Sequence, residues 1–168
     1  MLIKCMLVFV LILIPTIIGI KKSRTYEMRE RVLRESKVLF RRISNDIRYN
    51  LTTLPNAIEA SRQDLTSSLK DVMGSISTAI LDNTYSKELV SDEINSILSL
   101  KPYDKQVISN CISSLGTSDI DSQLNIMNNT IKTIEDLEGD AKEEKNKNSK
   151  LYRTIGLVTG LMLAIVII

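Results

Sequence analysis

The chain has 168 residues, with 22 basic and 20 acidic side chains, no histidine and two cysteines. Without histidine it lacks the usual general base at neutral pH, the commonest metal ligand and any Ser-His or Cys-His nucleophile pair. Cys5 and Cys111 fall in segments that we expect in different compartments, so neither a disulfide nor a zinc site is predicted. Paired carboxylates are better explained as solvated helix faces. We therefore expect no enzyme, no cofactor and no metal.

The charges avoid both ends of the chain. Residues 2–20 carry only Lys4, and residues 154–168 carry none. Residues 21–48 hold ten basic and four acidic groups, whereas residues 49–144 hold seven and sixteen. Nucleic-acid binding would need a basic working surface with stacking aromatics, and there are only two Phe, five Tyr and no Trp. A lipid bilayer, not a nucleic acid, is the expected partner of the basic segments.

The first predicted element is a transmembrane helix over residues 2–20, because about 20 apolar residues cover ~30 Å of hydrocarbon. Three basic residues follow it directly and are predicted anchors at the membrane interface: Lys21, Lys22 and Arg24. Their charge favours a cytoplasmic position for the next domain. A cleaved signal peptide is the alternative, but the run contains Pro15 and lacks a small-x-small cleavage site.

Residues 21–150 are predicted to form one all-α cytoplasmic domain, because apolar residues recur at helical spacing and no useful β alternation is present. A first helix, continuing from the span, carries a stripe suited to packing against another helix: Leu33, Ser36, Phe40, Ile43 and Ile47. Residues 51–54 end it, since the position before a proline disfavours helix. Pro55 suits the first turn of the next helix.

Three stripes follow in chain order. Residues 65–80 predict a helix that ends near Asp82-Asn83, and residues 89–98 predict one that stops before Pro102. A short helix over residues 103–115 is expected to end at Gly116, since glycine adopts the left-handed conformation that stops helices.

The last helix of the domain is predicted to begin at an N-cap, Ser118, with Asp119 and Asp121 at its positive end. Residues 138–150 lose the apolar period. Their helix formers favour an exposed helical stalk over the alternative, a disordered linker. The predicted fold is an antiparallel bundle of five or six helices, continuous with two transmembrane helices at the chain ends.

The second predicted transmembrane helix covers residues 151–168, roughly 27 Å long. Its predicted interface anchors are Lys150, Tyr152 and Arg153, with the Arg153 head group reaching back to water. Gly156 and Gly160 are spaced for close helix packing in lipid, although glycine is also simply common in membrane helices.

Three groups of residues carry a family resemblance. In chain order they are Asp46-Ile47-Arg48-Tyr49 followed by Thr53-Leu54-Pro55-Asn56-Ala57, then Ser114-Leu115-Gly116-x-x-Asp119-x-x-x-Gln123, then Asn148-Ser149-Lys150-Leu151-Tyr152-Arg153-x-x-Gly156-x-x-x-Gly160. Together they resemble stage III sporulation protein AB of endospore-forming Firmicutes over essentially the whole chain. Two positions depart from the family pattern. Thr52-Thr53 stands where threonine followed by proline is common, and Asn56 stands where an acidic residue is common.

The resemblance implies a structural role in an eight-protein set, AA to AH, that builds a channel between mother cell and forespore. The family is similar to the platform proteins of type II secretion and type IV pilus machines, and its Leu54-Pro55-x-Ala57 turn resembles the leucine-proline-leucine turn of their cytoplasmic helical repeat. By that analogy, the domain on the mother-cell side binds the set's ATPase, protein AA, within an oligomeric membrane complex. Possible contacts are Arg41, Arg42 and Arg48, which suit lipid head groups or water equally well.

Two other functions stay open. A membrane-anchored helical scaffold or coiled-coil signalling protein, without an ATPase partner, would show the same helical periods. A two-span pore former fits the apolar ends, but not a cytoplasmic domain over residues 21–150.

Overall fold

The structure, a computed structural model, describes residues 2–50, 52–115 and 119–167, with side chains omitted at residues 2–12, 164, 166 and 167. Those ranges contain no strand and six helices: α1 (Leu2–Tyr49), α2 (Leu54–Arg62), α3 (Leu69–Leu81), α4 (Lys87–Asn95), α5 (Pro102–Ser114) and α6 (Ile120–Ile167). This confirms the predicted all-α fold and its number of helices.

The chain divides into two compact units that share the two long helices. The terminal unit comprises Met1–Glu30 and Asp140–Ile168, and the central unit comprises Arg31–Gly139. α1 and α6, with 48 residues each, contribute to both units. α1 is uninterrupted through the basic residues that follow the first predicted span.

The core of the central unit is supplied by the apolar stripes of its helices. The fully buried side chains include Leu33, Phe40 and Ile43 from α1, Ile58 from α2, Met73 and Ile76 from α3, Ile94 from α4, Ile108 from α5, and Met127 and Ile134 from α6. α2 packs on α3, α3 on α4, and α4 on α5. Each such burial contributes about 1.5–3 kcal/mol, which is what holds the short helices together.

Several helix ends follow from local chemistry. Pro55 lies in the first turn of α2, where its missing N–H removes no hydrogen bond. α3 ends at Leu81, and Asn83 then takes a φ of 55°, a left-handed conformation that asparagine tolerates. The Ser86 hydroxyl accepts a hydrogen bond from the Leu89 N–H at 3.1 Å and caps α4.

Two predicted helix ends lie outside the described residues, and a third differs from the structure. The predicted stop at Gly116 and the predicted N-cap at Ser118 both lie outside the described residues. The carboxylate of Asp119 accepts a hydrogen bond from the Ser122 N–H at 3.0 Å, so Asp119 caps α6. The apolar stripe assigned to residues 89–98 is too long, because α4 ends at Asn95.

The segment over residues 138–150 is helical throughout, so the disordered-linker alternative is wrong. It also differs from a fully exposed stalk. Ala141 is 1% exposed, and an Arg29 guanidinium nitrogen donates to the Glu144 carboxylate at 3.0 Å. Charged residues in this segment therefore contact α1, and the periodicity of apolar residues in the sequence does not reveal these contacts.

The predicted spans, residues 2–20 and 151–168, occupy the outer ends of α1 and α6. Within the described part of the chain, no helix is long and apolar enough to cross a membrane. Residues 2–12, 164 and 166–168 of these predictions lie outside the residues whose side chains are described. The two spans, and the boundaries at 21 and 150, stay predictions.

Glu35 of α1 holds the segment that leads into α3. Its carboxylate accepts hydrogen bonds from the backbone N–H groups of Thr66 and Ser67, at 3.2 and 3.0 Å. Both hydroxyls also donate to it, each at 2.6 Å. Partial burial pushes the pKa of Glu35 upward, but the hydrogen bonds from Ser67 and Thr66 outweigh it, so the net pKa lies below its usual range.

We expect Glu35→Gln to lower the free energy of unfolding by about 1–2 kcal/mol at neutral pH, because the amide has one acceptor oxygen and no charge. A depressed folded-state pKa stabilises the protein above the unfolded pKa of about 4.3, and this stabilisation is lost as pH falls through the folded pKa. The gap between wild type and variant should therefore close in acid. Thermal unfolding of the full chain, followed by circular dichroism across this pH range, measures it.

Glu88→Gln on α4 is the matched control, because Glu88 is exposed and makes none of these bonds. A gap between wild type and Glu35→Gln that persists in acid would show that the charge of Glu35 is not its cause.

Candidate functional site

In the terminal unit α1 and α6 run antiparallel and approach each other at two glycines. A Cβ atom on Gly156 would lie 2.7 Å from the Pro15 carbonyl oxygen, and one on Gly19 would lie 2.5 Å from the Tyr152 carbonyl oxygen. Real Cβ atoms do not come this close, so both positions require glycine. Small residues allow this kind of close backbone approach between helices.

Gly160, the other glycine of the predicted packing pair, is buried one turn beyond Gly156, and its packing role stays a prediction. Sequence reasoning missed Gly19. One signal was available, because Gly19 is the only glycine within the apolar run 2–20.

A closed network of polar side chains lies beside this glycine crossing. The hydroxyls of Ser23 and Ser149 are 2.6 Å apart, and Ser149 donates to the Glu27 carboxylate at 3.1 Å. Arg153 donates through Nε to the Ser23 hydroxyl at 2.9 Å and forms an ion pair with Glu27. The hydroxyl of Ser23, which is fully buried, therefore accepts a hydrogen bond from Arg153 and donates its own proton to the Ser149 hydroxyl.

Tyr152 packs its ring against Tyr26 across the same helix pair. The ring centroids are 5.8 Å apart, and the planes are inclined by 19°. Stacked aromatic pairs contribute about 0.5–1.5 kcal/mol beyond their buried area. Burial, and then the hydrogen bond with Tyr152, raises the pKa of Tyr26 above its usual value. Tyr26 therefore stays neutral at physiological pH.

Two ion pairs with a buried member complete the terminal unit. Arg29 lies 3.0 Å from Glu144, and Lys145 lies 3.5 Å from Glu30. The side chains of Arg29 and Glu30 are only 5% and 8% exposed. Their partners Glu144 and Lys145 are 32% and 30% exposed, so each pair joins a buried charge of α1 to a partly exposed charge of α6. A buried charge requires a partner, so these pairs favour one register of α1 against α6.

The structure separates the predicted interface anchors into two groups. Lys21, Lys22, Arg24 and Lys150 are exposed. Tyr152 and Arg153 instead make the stacking and ion-pair contacts that join α6 to α1. The Arg153 side chain is still 52% exposed, so contact with a membrane interface stays a prediction for all six residues.

The three arginines predicted as partner contacts all lie in α1 and are exposed, but they differ in their ion-pair partners. Arg41 pairs with Glu135 of α6 at 3.4 Å, whereas Arg42 pairs with Asp64, which lies between α2 and α3. Arg48 is exposed in the last turn of α1. Two of the three charges are thus already matched within the central unit, and the contact role stays a prediction.

Within the described residues, no group of three or more His, Cys, Asp and Glu side chains could hold a metal ion. Cys111 is 1% exposed, and burial raises its pKa to about 11. Its thiol is therefore protonated at neutral pH, and a protonated thiol is a poor nucleophile.

The glycine crossing can be tested by cross-linking. In a chain with Cys5→Ala and Cys111→Ala, we expect Ser23→Cys and Ser149→Cys to form an intramolecular disulfide on oxidation, because their side chains already touch. Adding Gly156→Leu should lower the yield at least about twofold, since leucine must displace the Pro15 carbonyl. Electrophoresis without reducing agent measures the yield.

The control pair is Thr25→Cys with Ser149→Cys. Thr25 is exposed and bonds back to its own helix at the Lys21 carbonyl, so little cross-link is expected. Equal yields for both pairs, or no effect of Gly156→Leu, would contradict this geometry.

Comparison with known proteins gives one match. No curated protein and no solved structure matches the chain. Among protein families, Stage III sporulation protein AB matches residues 4–168, which include both long helices. The match covers the whole chain and confirms the resemblance carried by its three motifs. The chain belongs to the Stage III sporulation protein AB family.

Proposed function

We propose that this sporulation protein is a non-catalytic membrane platform component of the channel complex between mother cell and forespore. In this role it couples a cytoplasmic ATPase, the AA-type protein of the set, to the membrane assembly. The observation that carries the proposal is that α1 and α6 each continue as one helix from the charged central part of the chain to its apolar ends. Antiparallel packing in the terminal unit brings those ends to the same side.

Exposed apolar side chains on the outer ends of both helices support a membrane position. Ile14 and Ile18 on α1 are 54% and 62% exposed, and Met162 and Ile165 on α6 are 64% and 75% exposed. An apolar outer surface is favourable in lipid and unfavourable in water. The exposed basic residues at the inner edge favour a central unit on the cytoplasmic side.

The first turn of α2 supports the analogy with secretion platforms. Pro55 lies in the first turn of the helix, and its carbonyl oxygen accepts a hydrogen bond from the Ser77 hydroxyl of α3 at 3.3 Å. Ala57 and Ile58 are fully buried. The turn that resembles the platform motif thus contributes to the contact between α2 and α3, and this supports the analogy at the level of the fold.

The alternative, a coiled-coil scaffold without an ATPase, has to use a different surface. The α1 stripe suited to pairing with another helix includes Leu33, Phe40 and Ile43, and all three are fully buried in the central unit. A second chain has no access to them without unfolding this core. The burial therefore favours a compact platform over an extended intermolecular coiled coil.

ATPase coupling is tested by co-purification. We expect the tagged full chain, purified from sporulating cells, to bring down the AA-type ATPase. Deletion of the gene for this chain should arrest sporulation after engulfment begins. The matched control is a chain in which Leu33→Asp unfolds the central unit while both ends remain. A full chain that never retains the ATPase, in cells or from purified components, would favour the scaffold alternative.

Membrane topology is tested at a natural cysteine. If both termini lie on the side of the membrane opposite the cytoplasm, a membrane-impermeant maleimide added outside intact cells should label Cys5. Cys111 should stay unlabelled, because it is buried and its pKa of about 11 keeps the thiol protonated. Asn128→Cys, at an exposed site of the central unit, should label only after permeabilisation. Labelling of Asn128→Cys from outside would invert the topology, and loss of Cys5 from the mature chain would indicate a cleaved signal peptide.

A further inference from the structure

A polar groove runs between α4 and α5 on the surface of the central unit. Two adjoining hollows form it, and both are lined by Ser91, Ser109 and Asn110. Lys87, at the start of α4, lies in one hollow and Lys105 of α5 in the other. The two helices are antiparallel, so the groove follows most of the length of α4.

The charge inside this groove is one-sided. Its lining includes two lysines and no carboxylate, although α4 carries Glu88, Asp92 and Glu93 on its other faces. The acidic residue of α5, Asp104, is buried and accepts a hydrogen bond from the Lys101 N–H at 3.0 Å. The groove therefore presents a positive strip beside an acidic face.

The positions of the two lysines define a spacing. Lys105 donates to the carbonyl oxygen of Asn95 at 2.8 Å, which holds it level with the last residue of α4. Lys87 lies eight residues earlier, so at ~1.5 Å per residue its position and that of Asn95 are roughly 12 Å apart along α4. A helix lying in the groove would match the two lysines with carboxylates about two turns apart.

The remaining lining suits a protein segment. Serine, asparagine and glutamine side chains both donate and accept hydrogen bonds, and the short serines keep the groove open. A membrane surface is a poorer fit, because Glu88, Asp92 and Glu93 would meet anionic head groups unfavourably.

An apolar anchor lies at the Lys105 end. The loop from α4 to α5 carries Leu98, which is 90% exposed, and Tyr103 follows it with 58% exposure. Pro102, between them, lines the groove. A single exposed leucine needs no explanation. Exposed tyrosine is enriched among the side chains that supply most of the binding energy in protein interfaces, and Tyr103 adjoins Pro102 of the groove lining.

We propose that this groove is the docking site for an acidic helix of the ATPase, with its carboxylates on Lys87 and Lys105 and an apolar residue against Leu98 and Tyr103. The inference rests on the proposed function, since it assigns a surface to the partner named there. It differs from the prediction for Arg41 and Arg42, whose charges are already matched by Glu135 and Asp64.

The test is binding of the purified full chain to the purified AA-type ATPase. Lys87→Glu with Lys105→Glu should weaken binding at least about tenfold, because two attractive contacts become two repulsive ones. The matched control makes the same charge change outside the groove, with Lys70→Glu and Lys132→Glu. Leu98→Ser should also weaken binding, whereas Leu81→Ser, at a leucine that is 66% exposed on α3, should not. Circular dichroism checks that every variant folds.

Each outcome decides the inference. If the ATPase binds wild type and the groove variants equally, or if the control lysine pair weakens binding as much, the docking site is wrong and the proposed function stands. If the ATPase does not bind the wild-type chain, both fail. If the groove variants keep the ATPase but lose binding to phosphatidylglycerol vesicles, the groove contacts lipid and the inference is overturned.

Discussion

Two helices from opposite ends of the sequence meet at Gly19 and Gly156, where neither has a side chain. The backbones come so close that a Cβ atom at either position would collide with a carbonyl oxygen. The other contacts of the terminal unit depend on this approach, because hydroxyls, rings and ion pairs reach across only when the helix axes are near. The Tyr26–Tyr152 stack and the Ser23–Ser149 hydrogen bond are of this kind.

The central unit is stabilised differently. Its short helices depend on apolar burial, and Glu35 adds polar bonds that fix the start of α3. In the terminal unit, by contrast, the segment nearest the central residues is held by charged pairs with buried members. Burying a charge costs free energy unless a specific partner is present, whereas burying apolar surface is favourable with many partners. The central unit is therefore stabilised mainly by apolar burial, and the ion pairs of the terminal unit favour one pairing of its two helices.

Local signals account for what could be predicted. The all-α fold, the start of α2 at Pro55 and the end of α3 near Asp82 each depend on a few neighbouring residues. The exposure of Leu98 could not be predicted in this way, since an apolar residue at helical spacing does not reveal that its helix has already ended.

Contacts between distant residues account for what was missed. The Arg29–Glu144 pair joins residues 115 positions apart, and nothing in residues 138–150 alone shows which charges face α1. Likewise, Arg41 and Arg42 are adjacent in sequence, yet they find their carboxylates on different parts of the fold. The α4–α5 groove depends on which faces of two helices pack together, and that is a property of the assembled domain.

The buried ion pairs limit how the two long helices can move. Sliding α6 along α1 by one turn, about 5.4 Å, would bring Arg29 opposite Asp140 or Asn148 and Glu30 opposite Ala141 or Ser149. In either direction the ion pair between Lys145 and Glu30 would be broken, because neither Ala141 nor Ser149 carries a charge. The two ion pairs thus oppose the sliding of one helix along the other, whereas motion of both helices together keeps both pairs.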